Sequence, residues 1–309
     1  MSRVNWRLSV KQKPRTIPAI EPNAGTRKAL EKRLKSLSRR LINEAALEIL
    51  GELIDRGVLA NDAALSKAEI AKTLREQRKL LPSALAALSA QHMSVDMAER
   101  IARLLVKAGV EAQKISEWFV RTCALEVSAR QQSALHDAGI STEFLREKYS
   151  VPIIRRRYLT PHAAKAIPKK IEEFTGLITK MAAGDLERVQ SVIASGLSEG
   201  MSYRELESTL AASQGFSEAR AARVALDQSV KVSQAIQREN AKALGITEAI
   251  WVHVPGQYSS RPTHIAMNGK RFELSAGLWD EDAGMMVVPG QLPYCRCSLR
   301  TVLPPELLK

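Results

Sequence analysis

The sequence predicts a mainly α protein: an elongated helical bundle, followed by a small α+β unit whose short-stranded sheet packs on helices. Three observations predict it. Ala, Leu, Glu, Lys and Arg dominate while aromatics are only 5%, a composition that favours helix by intrinsic propensity. Apolar residues recur at three- and four-residue steps over most of the chain, the pattern of helices with one buried stripe. After Gly245 that period gives way to short alternating runs separated by turn residues. The 309 residues suffice for two or three units with real cores. A hydrophobic content of 45% excludes a disordered chain.

Four segments follow in order. Residues 1–24 form a basic extended arm, in which Arg3, Arg7, Lys11, Lys13 and Arg15 are spread among Pro14, Pro18 and Pro22. The prolines block a continuous helix. The arm reads either as a tail that lies on phosphate or a partner, or as a frayed terminus.

Residues 25–150 are expected to be the long-helix bundle. The first helix should start near Thr26 as its cap and carry Leu30, Leu34, Leu37, Leu41, Ile49, Leu53 and Ile54 inward, with Gly57 as its stop. Its opposite face holds Arg27, Lys28, Lys32, Arg33, Lys35, Arg39 and Arg40, with Glu31 the one acid among them. That cluster is either a solvated helix face or a surface for DNA backbone or an acidic partner. Ser66-Lys67-Ala68-Glu69 is a capping box, and Pro82 bends or breaks the helix it opens. Ser94 is expected to cap a further helix that runs towards Gly139, with Gly109 dividing it.

Residues 151–245 are expected to be a second helical segment. Arg155, Arg156 and Arg157 lie between Pro152 and Pro161, at a boundary. Thr160-Pro161 is a cap followed by proline at the first helical position. Gly184, Gly200, Gly215 and Gly245 are expected at helix ends, Ser202 to Glu205 as a capping box, and a last helix after Ser217.

Residues 246–309 are the small β-rich unit. Ala249 to Val254, Arg271 to Leu274, Met286 to Val288 and Cys295 to Val302 are the expected strands, and Asn268-Gly269 a hairpin turn.

The net charge of +13 and a pI near 9.8 argue for an acidic partner, most simply nucleic acid. No apolar run reaches the roughly 20 residues that span a bilayer. Met1 to Trp6 lacks the apolar core of a secretion signal, and three cysteines make no disulfide framework. The expectation is a soluble protein of a reducing cytoplasm, with Cys123 a small buried hydrophobe.

Candidate chemistry concentrates between Trp251 and Pro304, which holds two of the three cysteines and two of the five histidines. Cys295 and Cys297, two apart on a strand, present both thiols to one face. With His264 they make three zinc-type ligands, and His253 or Asp280 can supply a fourth. Against zinc stand the absence of a Cys-x-x-Cys pair and the wide sequence separation; without metal the same residues form a hydrogen-bonded core. A catalytic reading pairs either thiol with His264 as base, or His264 with His253 and Asn268 as a nuclease centre. No third group that orients the histidine can be named, and no glycine-rich phosphate loop exists. The architectural reading has Arg261 and Arg296 tying loops to the sheet by buried bidentate bonds, with Trp251 and Tyr294 filling the core. It implies no enzyme and no cofactor, with zinc as the exception the cysteines allow.

The order Trp251, Arg261-x-x-His264, Asn268-Gly269, then Pro289-Gly290-x-x-Pro293-x-Cys295-Arg296-Cys297 and a closing Leu303-Pro304 resembles the C-terminal signature of the phage Mu F-like minor head proteins. These are head morphogenesis proteins of tailed bacteriophages. The resemblance covers about Pro161 to Pro304, with the specific motifs at its end. The stretch from His253 through Gly256 to Ser260 carries less charge than the start of that signature. The resemblance implies a virion component without enzymatic activity, made in the host cytoplasm and taken into the procapsid interior. Its partners would be the portal protein and the major capsid or scaffolding protein. Enclosure with double-stranded DNA suits the basic balance, because counterion release drives such binding without sequence readout. A metal-dependent nuclease or other enzyme, and a nucleic-acid binder outside any virion, are the alternatives.

Overall fold

The computed structural model describes residues 15–55, 84–149, 160–255 and 260–308. Arg3, Arg7, Lys11, Lys13, the capping box at Ser66, Gly57, Pro82 and Arg155 to Arg157 lie outside them. Among the described residues the protein is mainly helical, with a small antiparallel sheet near the C-terminus. The helices are α1 (Ala24–Asp55), α2 (Ala84–Asp137), α3 (Thr142–Tyr149), α4 (Pro161–Glu199), α5 (Tyr203–Ala243) and the short α6 (Pro262–Ala266). The strands are β1 (Glu248–Val252), β2 (Arg271–Glu273), β3 (Leu278–Asp280), β4 (Met285–Val287) and β5 (Ser298–Thr301). None of the described helices is long and apolar enough to cross a membrane.

The chain packs into two compact units that do not follow the linear order of segments. One comprises Met1–Pro22, Cys123–Ala166 and Val230–Lys309; the other comprises Asn23–Thr122 and Ile167–Ser229. The chain passes from one to the other within α2, α4 and α5, which also continue where the sequence suggested breaks. Ser94 and Gly109 lie inside α2, and Gly184 and Gly215 lie inside α4 and α5. A glycine lowers helix propensity by only about 1 kcal/mol, which a well-packed helix absorbs. Ser217 does not start a helix; its hydroxyl donates to buried Asp185 at 2.8 Å.

The unit built on Asn23–Thr122 and Ile167–Ser229 is a bundle. Leu30, Leu34, Leu37, Leu41, Ile49 and Leu53 of α1 are all buried, as their spacing predicted. At about 1.5–3 kcal/mol for each large apolar side chain, this stripe is the main reason α1 holds its place. Phe119 of α2 and Phe174 of α4 meet edge to face, 5.4 Å between ring centres. The cap of α1 is Asn23 rather than Thr26: its side-chain oxygen accepts from the amides of Gly25 and Thr26 at 2.8 and 3.1 Å. The Ser202 capping box forms as expected, with Glu205 accepting from the Ser202 amide at 2.8 Å.

The other unit carries the sheet. Its order is β2-β1-β5, all antiparallel, with Ala249 opposite Phe272 and Trp251 opposite Leu299. The free edge of β5 is covered by residues 15–17, since Ile17 donates to the Thr301 carbonyl and Leu303 to the Arg15 carbonyl. β3 and β4 form a separate two-stranded hairpin. The spacing had not marked β3. Asn268-Gly269 is not a two-residue hairpin turn: it closes α6 and turns the chain into β2, with Gly269 at φ 80°. Trp251, Phe272, Leu299, Leu274 and Val287 form the core with Ile17, Leu135 and Leu244.

The sheet is held to α5 by amides as well as apolar side chains. Ser229, Ser233, Gln234, Gln237 and Asn240 of α5 are all buried. Gln237 donates to the Leu299 carbonyl at 3.4 Å, and Arg238 to the Pro289 carbonyl at 3.2 Å. Asn240 donates to Ser128 at 2.9 Å and accepts from Thr160 at 2.8 Å. Thr160 caps α4 as predicted, accepting from the Ala163 amide at 3.0 Å.

Candidate functional site

The terminal motifs converge on one buried imidazole. β1 ends at Val252 and delivers His253, whose amide donates to the Asn268 side chain at 2.9 Å. Pro262, fixed in φ and lacking an amide donor, opens α6 and places His264 one turn in. β3 ends on Asp280, and the loop that precedes β5 carries Cys295 and Cys297. Both cysteines therefore lie before the strand, not on it. Tyr294, at φ 59°, turns the chain so that both thiols still face inward.

His264, Asp280, Cys295 and Cys297 are 2%, 0%, 3% and 2% exposed, so the cluster is closed to bulk water. The Nε2 of His264 is 2.9 Å from Asp280 Oδ2. Its Nδ1 is 3.3 Å from Cys295 Sγ and 3.7 Å from Cys297 Sγ. Cys297 Sγ is in turn 3.6 Å from His253 Nδ1. The other oxygen of Asp280 accepts from the amides of Asp282 and Ala283 at 3.0 and 3.3 Å. The sequence offered no group to orient His264; Asp280 is that group.

The electrostatics follow from this packing. Burial pushes the Asp280 carboxyl up, but the Ala283 amide, Thr263 and His264 outweigh it and hold it below its ordinary value. Cys295 is pulled down to about 4, first by the hydrogen bond from Cys297, against burial, and then by His264 and the backbone amides of Gly290 and Cys297. Cys297 is pushed up, first by the bond it gives Cys295 and then by burial. His264 is raised, first by its bond to Cys295. Cys123, remote from the cluster in sequence, is 3% exposed and its thiol is pushed up by burial, as a small buried hydrophobe should be.

Trp251 walls the cluster. Its ring stands edge to face with His264 at 5.2 Å and with Phe272 at 6.0 Å. Its indole N–H is buried without a hydrogen-bond partner among the described residues. Other signature residues hold the frame. Arg261 donates to the Pro293 carbonyl at 3.0 Å, tying the α6 entry to the cysteine loop, though by one bond and without full burial. Arg296 makes no such bond among the described residues. Tyr294 is 58% exposed and does not fill the core.

The basic residues fare differently. On α1, Arg39 pairs with Glu218, Arg40 with Glu111 and Lys35 with Glu31, and Arg33 lies over the Trp118 ring at 4.2 Å. Lys28 and Lys32 are exposed and Arg27 half-buried. The pairing explains how so many like charges sit on one helix.

Two chemistries suit the cluster. A thiol, an imidazole and a carboxylate in line are the parts of a thiol nucleophile with base and orienting acid. Two thiols and an imidazole lone pair facing one point are the parts of a soft-metal site. His264, Cys295 and Cys297 present ligand atoms all within 4.8 Å of one another, and no other such group of three or more exists among the described residues.

No curated protein and no solved structure matches this chain. A family model does match, over residues 187–300, and its description is Phage Mu protein F like protein. That span includes all of α5, all but the last residue of the three-stranded sheet and every member of the buried cluster. The part of the chain that builds the His264 centre is therefore similar to the Phage Mu protein F like family.

Proposed function

We propose that this protein is a minor head protein of a tailed bacteriophage, taken into the procapsid and retained in the virion. Its partners in this reading are the portal protein and the major capsid or scaffolding protein. Packaged double-stranded DNA meets its basic surface. One observation carries the reading: the Mu F-like match over residues 187–300 falls on residues that frame and fill a closed core. Trp251, His264, Cys295 and Cys297 are buried, so the signature specifies a fold and presents no open reactive mouth. A protein of this role needs no turnover and no organic cofactor.

The test is direct. Mass spectrometry of purified mature particles should find this chain, and particles made without its gene should assemble or package poorly. Particles that never contain it would end the reading.

A second reading rests on the line Cys295–His264–Asp280, which has the order of a thiol hydrolase. Two facts weigh against it. Cys297 crowds the same imidazole nitrogen at 3.7 Å, and the cluster is almost wholly enclosed. Stoichiometric labelling of Cys295 in the native chain by a small electrophile, with product formation lost in His264→Ala, would favour the enzyme.

A further inference from the structure

We propose that His264, Cys295, Cys297 and His253 bind one zinc ion, with Asp280 holding His264 from outside the coordination sphere. This does not depend on the head-protein reading.

The distances carry the argument. Zinc sits about 2.3 Å from sulfur and about 2.0–2.1 Å from nitrogen in tetrahedral sites, which puts a neighbouring sulfur and nitrogen about 3.5–3.6 Å apart. The three sulfur–nitrogen separations are 3.3, 3.7 and 3.6 Å. They bracket that edge length.

The hydrogen-bond chemistry agrees. Asp280 is an acceptor, so the Nε2 facing it carries the proton and Nδ1 presents its lone pair. That one lone pair can take a proton from one thiol only, yet two sulfurs converge on it. An ion at the common point satisfies all three groups. A carboxylate on the far nitrogen of a metal-binding histidine fixes tautomer and ring orientation, and this is the place Asp280 occupies. It bonds the nitrogen that points away from the sulfurs, so it is not the fourth ligand.

Zinc binds cysteine as thiolate. Two thiolates, two neutral imidazoles and a divalent ion sum to zero charge, which suits burial. Two sulfurs with two nitrogens in a tetrahedron select zinc over calcium or magnesium.

His253 closes the site. Its Nδ1 contacts Cys297, and Asn268 pins its backbone at the end of β1. It stands outside the tight group of three and is only half-buried, so it swings in as the last ligand.

The experiment uses the full chain, purified under reducing conditions from zinc-supplemented medium. Elemental analysis should give one zinc per chain, retained through dialysis. Cobalt added to chelated protein should give the visible absorption of a tetrahedral site with sulfur-to-cobalt charge transfer. Cys123→Ser should keep both signals, and Asp280→Asn should weaken metal affinity about 10–100-fold. No bound zinc together with no charge-transfer band in the folded wild-type chain overturns the proposal. An unchanged cobalt spectrum in His253→Ala overturns the assignment of the fourth ligand.

Discussion

His264 Nε2 and Asp280 Oδ2 stand 2.9 Å apart with both residues almost wholly buried, and Asp280 also accepts two backbone amides from its own turn. Asp280→Ala would therefore orphan an imidazole N–H and two backbone N–H groups at once. Breaking a buried charged partner in this way costs about 3–5 kcal/mol. Asp280→Asn keeps an acceptor for the turn and should cost less, about 1–3 kcal/mol. Urea unfolding read by tryptophan fluorescence checks both values. Equal losses in the two variants would show that the turn bonds are not what the carboxylate supports.

Trp251 is 0% exposed and touches both His264 and Phe272 edge to face. Trp251→Ala should cost about 3–5 kcal/mol through the cavity it leaves. Trp251→Phe keeps an aromatic ring against His264 and Phe272, so it should cost less and retain the fold by circular dichroism.

Two glycines at similar φ should respond differently. Gly269, at φ 80°, has open space where a Cβ would go. Gly269→Ala should lose only the left-handed backbone preference, about 1–2 kcal/mol. Gly277, at φ 85°, would place a Cβ 2.2 Å from the Val287 carbonyl oxygen. Gly277→Ala must also push β3 from β4, and β3 carries Asp280. Its thermal midpoint should fall further than that of Gly269→Ala, and its metal affinity should fall with it.

The helices were legible where local chemistry decides: Thr160 with Pro161, Ser202 with Glu205, and the leucine stripe of α1. They were misjudged where packing overrides local preference. Gly184, Gly215 and Ser94 look like breaks in a one-dimensional pattern, but long helices run through them. In the site, the pattern brought His264, Cys295 and Cys297 together and offered His253 and Asp280 as equals. Only the fold separates those two, one beside a sulfur and one on the far nitrogen. A signal for Asp280 was present: it opens a turn that ends at Gly284 between two apolar runs, where a carboxylate meets backbone amides two and three residues on. Tyr294 was read as core because it is aromatic, and its left-handed backbone instead leaves the ring outside.

Thr160 joins two helices. It caps α4 and its hydroxyl donates to Asn240 of α5, which itself donates to Ser128 of α2. Thr160→Ala should cost about 1–2 kcal/mol from the cap alone, and more because Asn240 keeps a buried oxygen without its donor. Thr160→Ser should restore most of it. Thermal unfolding of the three chains checks the order.

The basic face of α1 offers a way to separate charge that binds from charge that folds. Arg39 and Arg40 are already paired with Glu218 and Glu111. Exposed pairs of this kind contribute roughly 0–1 kcal/mol, so reversing these arginines perturbs the bundle slightly and removes little free positive charge. Lys28 and Lys32 are exposed and carry no ion pair among the described residues. If α1 lies on DNA, each phosphate they neutralise releases counterions and adds about 0.9 to the slope of log affinity against log salt. Lys28→Glu with Lys32→Glu should flatten that slope by roughly 2 and weaken duplex binding equally across sequences. Melting should be unchanged. A slope identical to the wild type in that double variant, measured by fluorescence anisotropy over a salt series, would remove α1 from the DNA-facing surface.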